Sequence, residues 1–303
     1  MDYVLTTDNV TKVYGKHRAV NRVSMHVEKG AIYGFIGKNG AGKTTFMRMV
    51  AGLAAANEGS ITLFGSTELE KQRKRIGTLI ENAGIYANMS AKDNLEIVKR
   101  NFGITEKNAV EEVLKFVGLW ESRKKKVKNF SMGMKQRLGL AIALFRNPDF
   151  LILDEPINGL DPEGIKEIRD LLLKMNREKG ITILISSHIL GELSKIATHY
   201  GIIRDGELVD EFKAEELQER CARCQKLVVD NENLAVNILE EKLSITNYDV
   251  PQANTIRVFE KLDMQEEMNR ELILGGVNIR ESYLAGQDLE GYFMELLGGG
   301  SNA

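Results

Sequence analysis

Two short stretches hold the side chains best suited to charged chemistry. "FIGKNGAGKTT" (Phe35–Thr45) combines closely spaced glycines with a lysine and two threonines, and "FLILDEP" (Phe150–Pro156) ends an apolar run in Asp154 and Glu155. In the first, Gly37, Gly42, Lys43 and Thr44 fit the spacing G-x-x-x-x-G-K-[ST]. Glycine here, including Gly40 beside Asn39, lets consecutive backbone N–H groups turn inward with no side chain in the way. The helix that follows adds its positive end. Lys43 then reaches the terminal phosphates, Thr44 offers a hydroxyl to Mg²⁺, and Thr45 lies next to it. An apolar strand runs into this loop and a helix leaves it, which is the context the spacing requires. The predicted ligand is a nucleoside triphosphate.

A phosphate loop alone leaves kinase, GTPase, helicase and transporter ATPase open. The acid pair adds a metal position and a base. Asp154 stands where a carboxylate holds Mg²⁺ through water, and Glu155 follows it at the carboxyl end of a strand, where ligands bind in open α/β sheets. A helix N-terminus before a proline would also collect acids, but a pair directly after four apolar residues suits metal plus general base.

A third cluster, "NFSMGMKQRLGLAIALF" (Asn129–Phe145), lies just upstream of the acids. Ser131 is suited to cap a helix, Gly133 permits close backbone approach, and the positive end of that helix makes a second phosphate-binding surface. With this cluster the sequence resembles the ABC ATPases over roughly residues 4–215. In that family a serine-glycine signature, usually written LSGGQ, binds the γ-phosphate held by the other subunit of a head-to-tail dimer. Here it reads "FSMGM", keeping Ser131 and Gly133 but with Met132 and Met134 in place of glycine and glutamine.

The resemblance implies ATP and Mg²⁺ as cofactors and carries further positions over one at a time. Tyr14, in "VTKVYG", matches the aromatic that stacks on adenine. Asp161, in "NGLDP", matches the acid linking two active sites, and His188, in "ISSH", the histidine that contacts γ-phosphate. One position departs: the glutamine expected after "IGTLI" is Glu81. A glutamate still coordinates Mg²⁺ or orients water, but its charge beside the γ-phosphate predicts weaker metal-free ATP binding and a sharper Mg²⁺ dependence. The implied cycle closes a homodimer around two Mg·ATP, each site joining the loop of one chain to Ser131 and Gly133 of the other, with Glu155 activating water.

By the same resemblance, closing and opening would work on a separate integral-membrane permease docked near residues 82–97. Ile85, Tyr86 and Met89, expected to be exposed, are candidates for that contact; packing of the local hairpin is the other reading. "IENAGIYANMSAKDNLEI" and "FSMGMKQRLGLA" also resemble subunits handling bacitracin or lantibiotic-type peptides. That implies export of an antimicrobial peptide or other hydrophobic compound, with the chain at the cytoplasmic face of the cell membrane. A soluble regulatory ABC ATPase without a permease and a degenerate module without turnover are the rivals. A single ATPase domain with no long coiled-coil insertion speaks against the first, and Glu155 and His188 against the second.

The elements that must position these residues follow from periodicity. "VSMHV" and "AIYGFI" read as strands, a helix is expected from Gly42 or Lys43 to Gly52, and Val110, Val113, Leu114 and Val117 mark a helix stopping at Gly118. Strand, helix (Pro162 to about Glu178), strand and a hairpin at Asp205-Gly206 follow. The fold class expected is an α/β P-loop NTPase core of ABC ATPase type, residues 1–215, with a helical subdomain at about 82–147. Residues 216–297 are expected to form a small accessory α+β domain in β-α-β-β-α-β order, ferredoxin-like, with Asp263 capping one helix and "DLEGYFMELL" forming the last. The segment 298–303 reads as a flexible tail.

Bulk properties bound the function. The 303 residues are 43% hydrophobic and 28% charged with net charge −2, so no nucleic-acid partner is expected from charge. The basic runs "KQRKR" (Lys71–Arg75) and "RKKKVK" (Arg123–Lys128) read as solvated faces. "MDYVLTTDNV" lacks an apolar core and predicts no secretory signal. No apolar stretch approaches the ~18 residues of a membrane span. Cys221 and Cys224, with no second pair or nearby histidine, read as thiols at a helix end.

Overall fold

The computed structural model describes residues 2–81, 84–221, 223–285 and 292–293. The chain opens with β1 (Tyr3–Tyr14), β2 (His17–Val23), β3 (His26–Glu28), β4 (Ile32–Ile36), α1 (Lys43–Ala51) and β5 (Glu58–Leu63). α2 (Leu69–Gln72), β6 (Ile76–Leu79), α3 (Ala91–Asn101), α4 (Ala109–Phe116) and α5 (Met132–Leu144) follow. β7 (Phe150–Asp154), α6 (Pro162–Lys179), β8 (Thr182–Ser187), α7 (Leu190–Leu193), β9 (His199–Arg204) and β10 (Glu207–Lys213) come next. The first compact unit runs to Ala214 and the second begins at Glu215.

Two sheets build the first unit. β1 lies between β2 and β3 and also pairs with β5, all antiparallel. The larger sheet has the order β10-β9-β4-β8-β7-β6; it is parallel except for β10 at the edge. Every residue of β4 and β8 is buried, which is why both read as apolar runs rather than alternating strands. "VSMHV" is not one strand: the chain breaks at Ser24-Met25 between β2 and β3. Buried Thr7 satisfies the break, its hydroxyl donating to Val23 O at 3.1 Å and accepting from Met25 N–H at 2.9 Å.

α1 is fixed at both ends. Gly42 (φ 106) and Gly52 (φ 81) occupy the left-handed region that glycine alone takes without strain, and a Cβ at Gly42 would lie 2.3 Å from Ala19 O. The helix buries Phe46, Met47, Met49 and Val50, with the Phe46 and Phe35 rings 5.4 Å apart. The run "KQRKR" is not merely solvated. Arg73 donates from Nε to Val50 O at 3.2 Å and from Nη2 to Met49 O at 3.1 Å, a carbonyl that also takes Gly52 N–H at the end of α1. Arg75 lies 3.7 Å over the Phe64 ring and donates to Asp149 at 2.7 Å. In "RKKKVK", Lys124–Lys126 and Lys128 are exposed as expected.

In the second unit α8 (Ala214–Cys221) leads to β11 (Cys224–Val229), α9 (Glu232–Glu241), β12 (Tyr248–Gln252), β13 (Thr255–Val258), α10 (Gln265–Leu274) and β14 (Ile279–Ala285). The sheet order is β12-β13-β11-β14, antiparallel throughout, which is the split βαβ arrangement. Ala235, Ile238, Leu239, Met268 and Leu272 of the two helices pack on Leu227, Val229, Ile256 and Val258. Asp263 does not cap α10. A turn closed by Met264 N–H on Lys261 O puts Met264 at the cap position, with no side-chain bond to the helix. Cys221 and Cys224 are thiols, the second buried. The expected final helix falls outside the described residues except Tyr292 and Phe293, as does 298–303. Among the described residues no helix is long and apolar enough to cross a membrane.

Candidate functional site

The phosphate loop joins the buried end of β4 to α1. A Cβ at Gly37 would lie 2.6 Å from Ile203 O, so this glycine is required by packing against β9 rather than by a ligand. Gly40 (φ 84) has open space where its Cβ would be, which leaves the turn's backbone accessible. Lys43 is buried, and its Nζ donates to Gly37 O at 2.5 Å and to Lys38 O at 3.3 Å, folding the ammonium over the loop. Gly40, Asn39, Thr45 and Tyr14 line one cleft together with Lys43, Thr44 and Glu155. Tyr14 is 48% exposed at its mouth, and Lys12 Nζ lies 5.1 Å from the ring centroid.

Glu155 lines this cleft, and Asp154 stands next to it in the chain. Thr44 Oγ1 donates to Asp154 Oδ2 at 2.6 Å. Ser186 aligns with Asp154 in the β7-β8 register; its hydroxyl donates to Asp154 Oδ1 at 2.6 Å and accepts from Glu155 N–H at 2.9 Å. Glu155 leaves the strand with φ 50, a left-handed conformation uncommon for a side chain of this kind. Its Oε2 lies 2.6 Å from His188 Nδ1, and its Oε1 is buried without a hydrogen-bond partner among the described residues, 3.6 Å from Lys43 Nζ. Lys43 offsets the charge of this oxygen without hydrogen bonding to it, which leaves the oxygen able to accept from a ligand.

Ser131, Gly133 and Asp161 line a different cleft, so within one chain they do not meet the phosphate loop. Ser131 caps α5, its Oγ accepting from Met134 N–H at 3.2 Å, and Asp161 caps α6, its Oδ1 accepting from Gly164 N–H at 3.1 Å. No close approach inside the chain demands glycine at 133: a Cβ there would find nothing nearer than 4.0 Å. The close approach expected at Gly133 is therefore not intramolecular. Met132 is 53% exposed and reaches toward Gly159.

Glu81 does not line the first cleft. It follows β6 with φ 60, and its carboxylate is paired with Arg48 of α1 at 2.5 Å. In the segment after it Tyr86 is 56% exposed, while Ile85 and Met89 are half-buried rather than exposed as expected. This segment is clamped from below. Buried Asn94 accepts from Tyr86 N–H at 2.8 Å and donates to Tyr86 O and Ser90 O at 3.2 and 2.8 Å. Ser90 and Asp93 form a capping box at α3. The Ser90 hydroxyl and then its backbone N–H hold the Asp93 carboxyl below its ordinary value.

Ser186, Arg48 and Asn94 do not stand out in the sequence as site residues. Ser186 carries a weak signal, since "ISSH" puts two small polar residues in a fully buried strand. Arg48 and Asn94 depend on partners distant in sequence and carry none. The donor set at Thr44 and Asp154 is of hard oxygens, and it fits Mg²⁺. Among the described residues no group of three or more His, Cys, Asp or Glu would hold a metal by itself.

The model of the ABC transporter family matches residues 20–158. The bacitracin transport ATP-binding protein BcrA of Bacillus licheniformis is 42% identical, covering 99% of this chain and 99% of that protein. The lantibiotic transport ATP-binding protein SrtF of Streptococcus pyogenes is 43% identical, over 71% of this chain and 95% of that protein. Among solved structures, a dimeric ATP-binding cassette in a post-hydrolysis state with ADP and Pi has a TM-score of 0.63 and 26% identity, covering 69% of this chain and 98% of the other.

Proposed function

The chain belongs to the ATP-binding proteins of ABC transporters, and from that premise we propose that two copies close around two Mg·ATP to drive a separate membrane permease exporting a bacitracin-like or lantibiotic-like peptide. It is an ATPase that powers transport. In the proposed site Tyr14 stacks on adenine, and the loop from Gly37 to Thr45 wraps the phosphates through backbone N–H groups and Lys43. Thr44 and, through water, Asp154 would hold Mg²⁺, which would supply charge neutralisation to the bound phosphates. Glu155 accepts a proton from the attacking water, and His188 orients the Glu155 carboxylate and meets the γ-phosphate through its other nitrogen. Phosphoryl transfer needs chiefly such positioning and charge stabilisation. Ser131, Gly133 and Asp161 of the partner subunit complete each site.

The observation that carries this reading is the unbroken chain of contacts from Thr44 through Asp154 and Ser186 to Glu155 and His188. The open space at Gly133 supports a partner approaching α5 from outside, because glycine in a helix costs about 1 kcal/mol and nothing within the chain requires it. The relatives named for bacitracin and lantibiotic transport support the peptide class. Work at the cytoplasmic face of the membrane follows from a permease partner. The test is a host lacking this chain, challenged with bacitracin and with a lantibiotic. Sensitivity should rise and be restored by the unmodified chain but not by Glu155→Gln. Unchanged sensitivity to both peptides would contradict the substrate class.

A further inference from the structure

Three carboxylates stand at the ends of β6 and β7, and α1 supplies a partner for each. Thr44 Oγ1 donates to Asp154 at 2.6 Å, Lys43 Nζ lies 3.6 Å from Glu155 Oε1, and Arg48 Nη2 lies 2.5 Å from Glu81 Oε1. Leu79 and Leu153 are register partners in parallel strands, so Glu81 and Glu155, each two residues further on, leave the sheet at the same end. Both do so through left-handed backbone, at φ 60 and φ 50. Arg48 is one helical turn beyond Thr44 and therefore on the same face of α1. Thr44 and Lys43 line the phosphate cleft, whereas Arg48 and Glu81 do not. With side chains 37% and 57% exposed, the Arg48–Glu81 pair adds little to folding stability, so its consequence lies in where it puts charge.

We propose that Arg48 is a positioning residue that neutralises Glu81 and holds it on α1, so that a triphosphate bound at the start of the same helix does not face an uncompensated third carboxylate. The proposal rests on the ATP-site reading above. It also revises the expectation that Glu81 by itself weakens metal-free binding, because the charge comes with its own counter-charge.

The test is titration of the full chain with a fluorescent ATP analogue in EDTA, which reads binding without turnover and without Mg²⁺. Arg48→Ala should weaken binding about two- to fivefold, the scale of an exposed ion pair. Glu81→Gln added to it should restore binding to that of the unmodified chain, and Arg48→Lys, which keeps the charge, should bind as the unmodified chain does. A double variant as weak as Arg48→Ala would overturn the proposal, since Arg48 would then act on the nucleotide or the fold directly. So would full-strength binding by Arg48→Ala. Failure of the unmodified chain to bind the analogue even after Mg²⁺ is restored would overturn the ATP-site reading, and this role with it.

Discussion

His188 Nδ1 lies 2.6 Å from Glu155 Oε2, while the second carboxylate oxygen of Glu155 is buried without a hydrogen-bond partner among the described residues. One oxygen is oriented and the other is left to accept. An imidazole that donates from Nδ1 to a carboxylate leaves Nε2 as the nitrogen able to meet a ligand. The pair thus joins the residue proposed to take a proton from water to the residue proposed to touch the γ-phosphate.

From this geometry Glu155→Gln should lower ATP turnover by about 10²–10⁴-fold while nucleotide binding persists. His188→Ala should also lower turnover, because it removes the group that orients Oε2. Phosphate release at saturating Mg·ATP, beside a binding titration of each variant, checks both. Turnover by Glu155→Gln at the unmodified rate would remove Glu155 from the role of base.

Ser186 is the hinge pin between the two acids. Ser186→Ala leaves Asp154 Oδ1 and Glu155 N–H each without the hydroxyl they share, so it should destabilise the first unit by about 1–3 kcal/mol. Denaturant unfolding of the variant against the unmodified chain measures this. An unchanged midpoint would show that neither bond contributes.

Gly133→Ala separates the needs of the single chain from those of a dimer. The added methyl meets nothing closer than 4.0 Å and replaces glycine within a helix, so thermal stability should hold or rise by up to about 1 kcal/mol. Turnover should fall steeply if a partner's phosphate approaches this backbone. A variant that keeps full turnover would exclude that approach.

The capping box of α3 gives a pH dependence with a definite sign. Asp93 has its carboxyl lowered by the Ser90 hydroxyl and then by the Ser90 N–H. A lowered carboxyl contributes stability that is present above its ordinary value and lost as the pH falls through its value in the folded chain. The gap in melting temperature between the unmodified chain and Asp93→Ala should therefore narrow from about pH 6 to about pH 3. A gap independent of pH would mean that the charged box is not what caps α3.

The phosphate loop, the acid pair and α1 with its bounding glycines were legible because each is a local pattern: spacing, an apolar run and a left-handed stop lie within a dozen residues. The small second unit was legible in its order of elements, and its sheet follows from that order. What the sequence hid depends on pairing across the fold. Arg73 looks like one more surface cation until α1 ends beside it, and the break at Ser24-Met25 depends on Thr7 in a neighbouring strand. Asp263 failed as a cap because the turn at Lys261 moved the helix start by one position. Gly133 looked like a site of close approach, and only the empty space around it turns that approach outward.

In the proposed dimer each chain supplies two half-sites, the phosphate loop in one cleft and Ser131, Gly133 and Asp161 in another. The most direct test of this arrangement is light scattering behind size-exclusion chromatography on the Glu155→Gln protein, with and without Mg·ATP, beside turnover of the unmodified chain. The Glu155→Gln protein should be a monomer without nucleotide and a dimer with Mg·ATP, and the unmodified chain should turn over ATP. A protein that stays monomeric with Mg·ATP bound while the unmodified chain hydrolyses ATP would contradict this arrangement, because hydrolysis would then need no second copy.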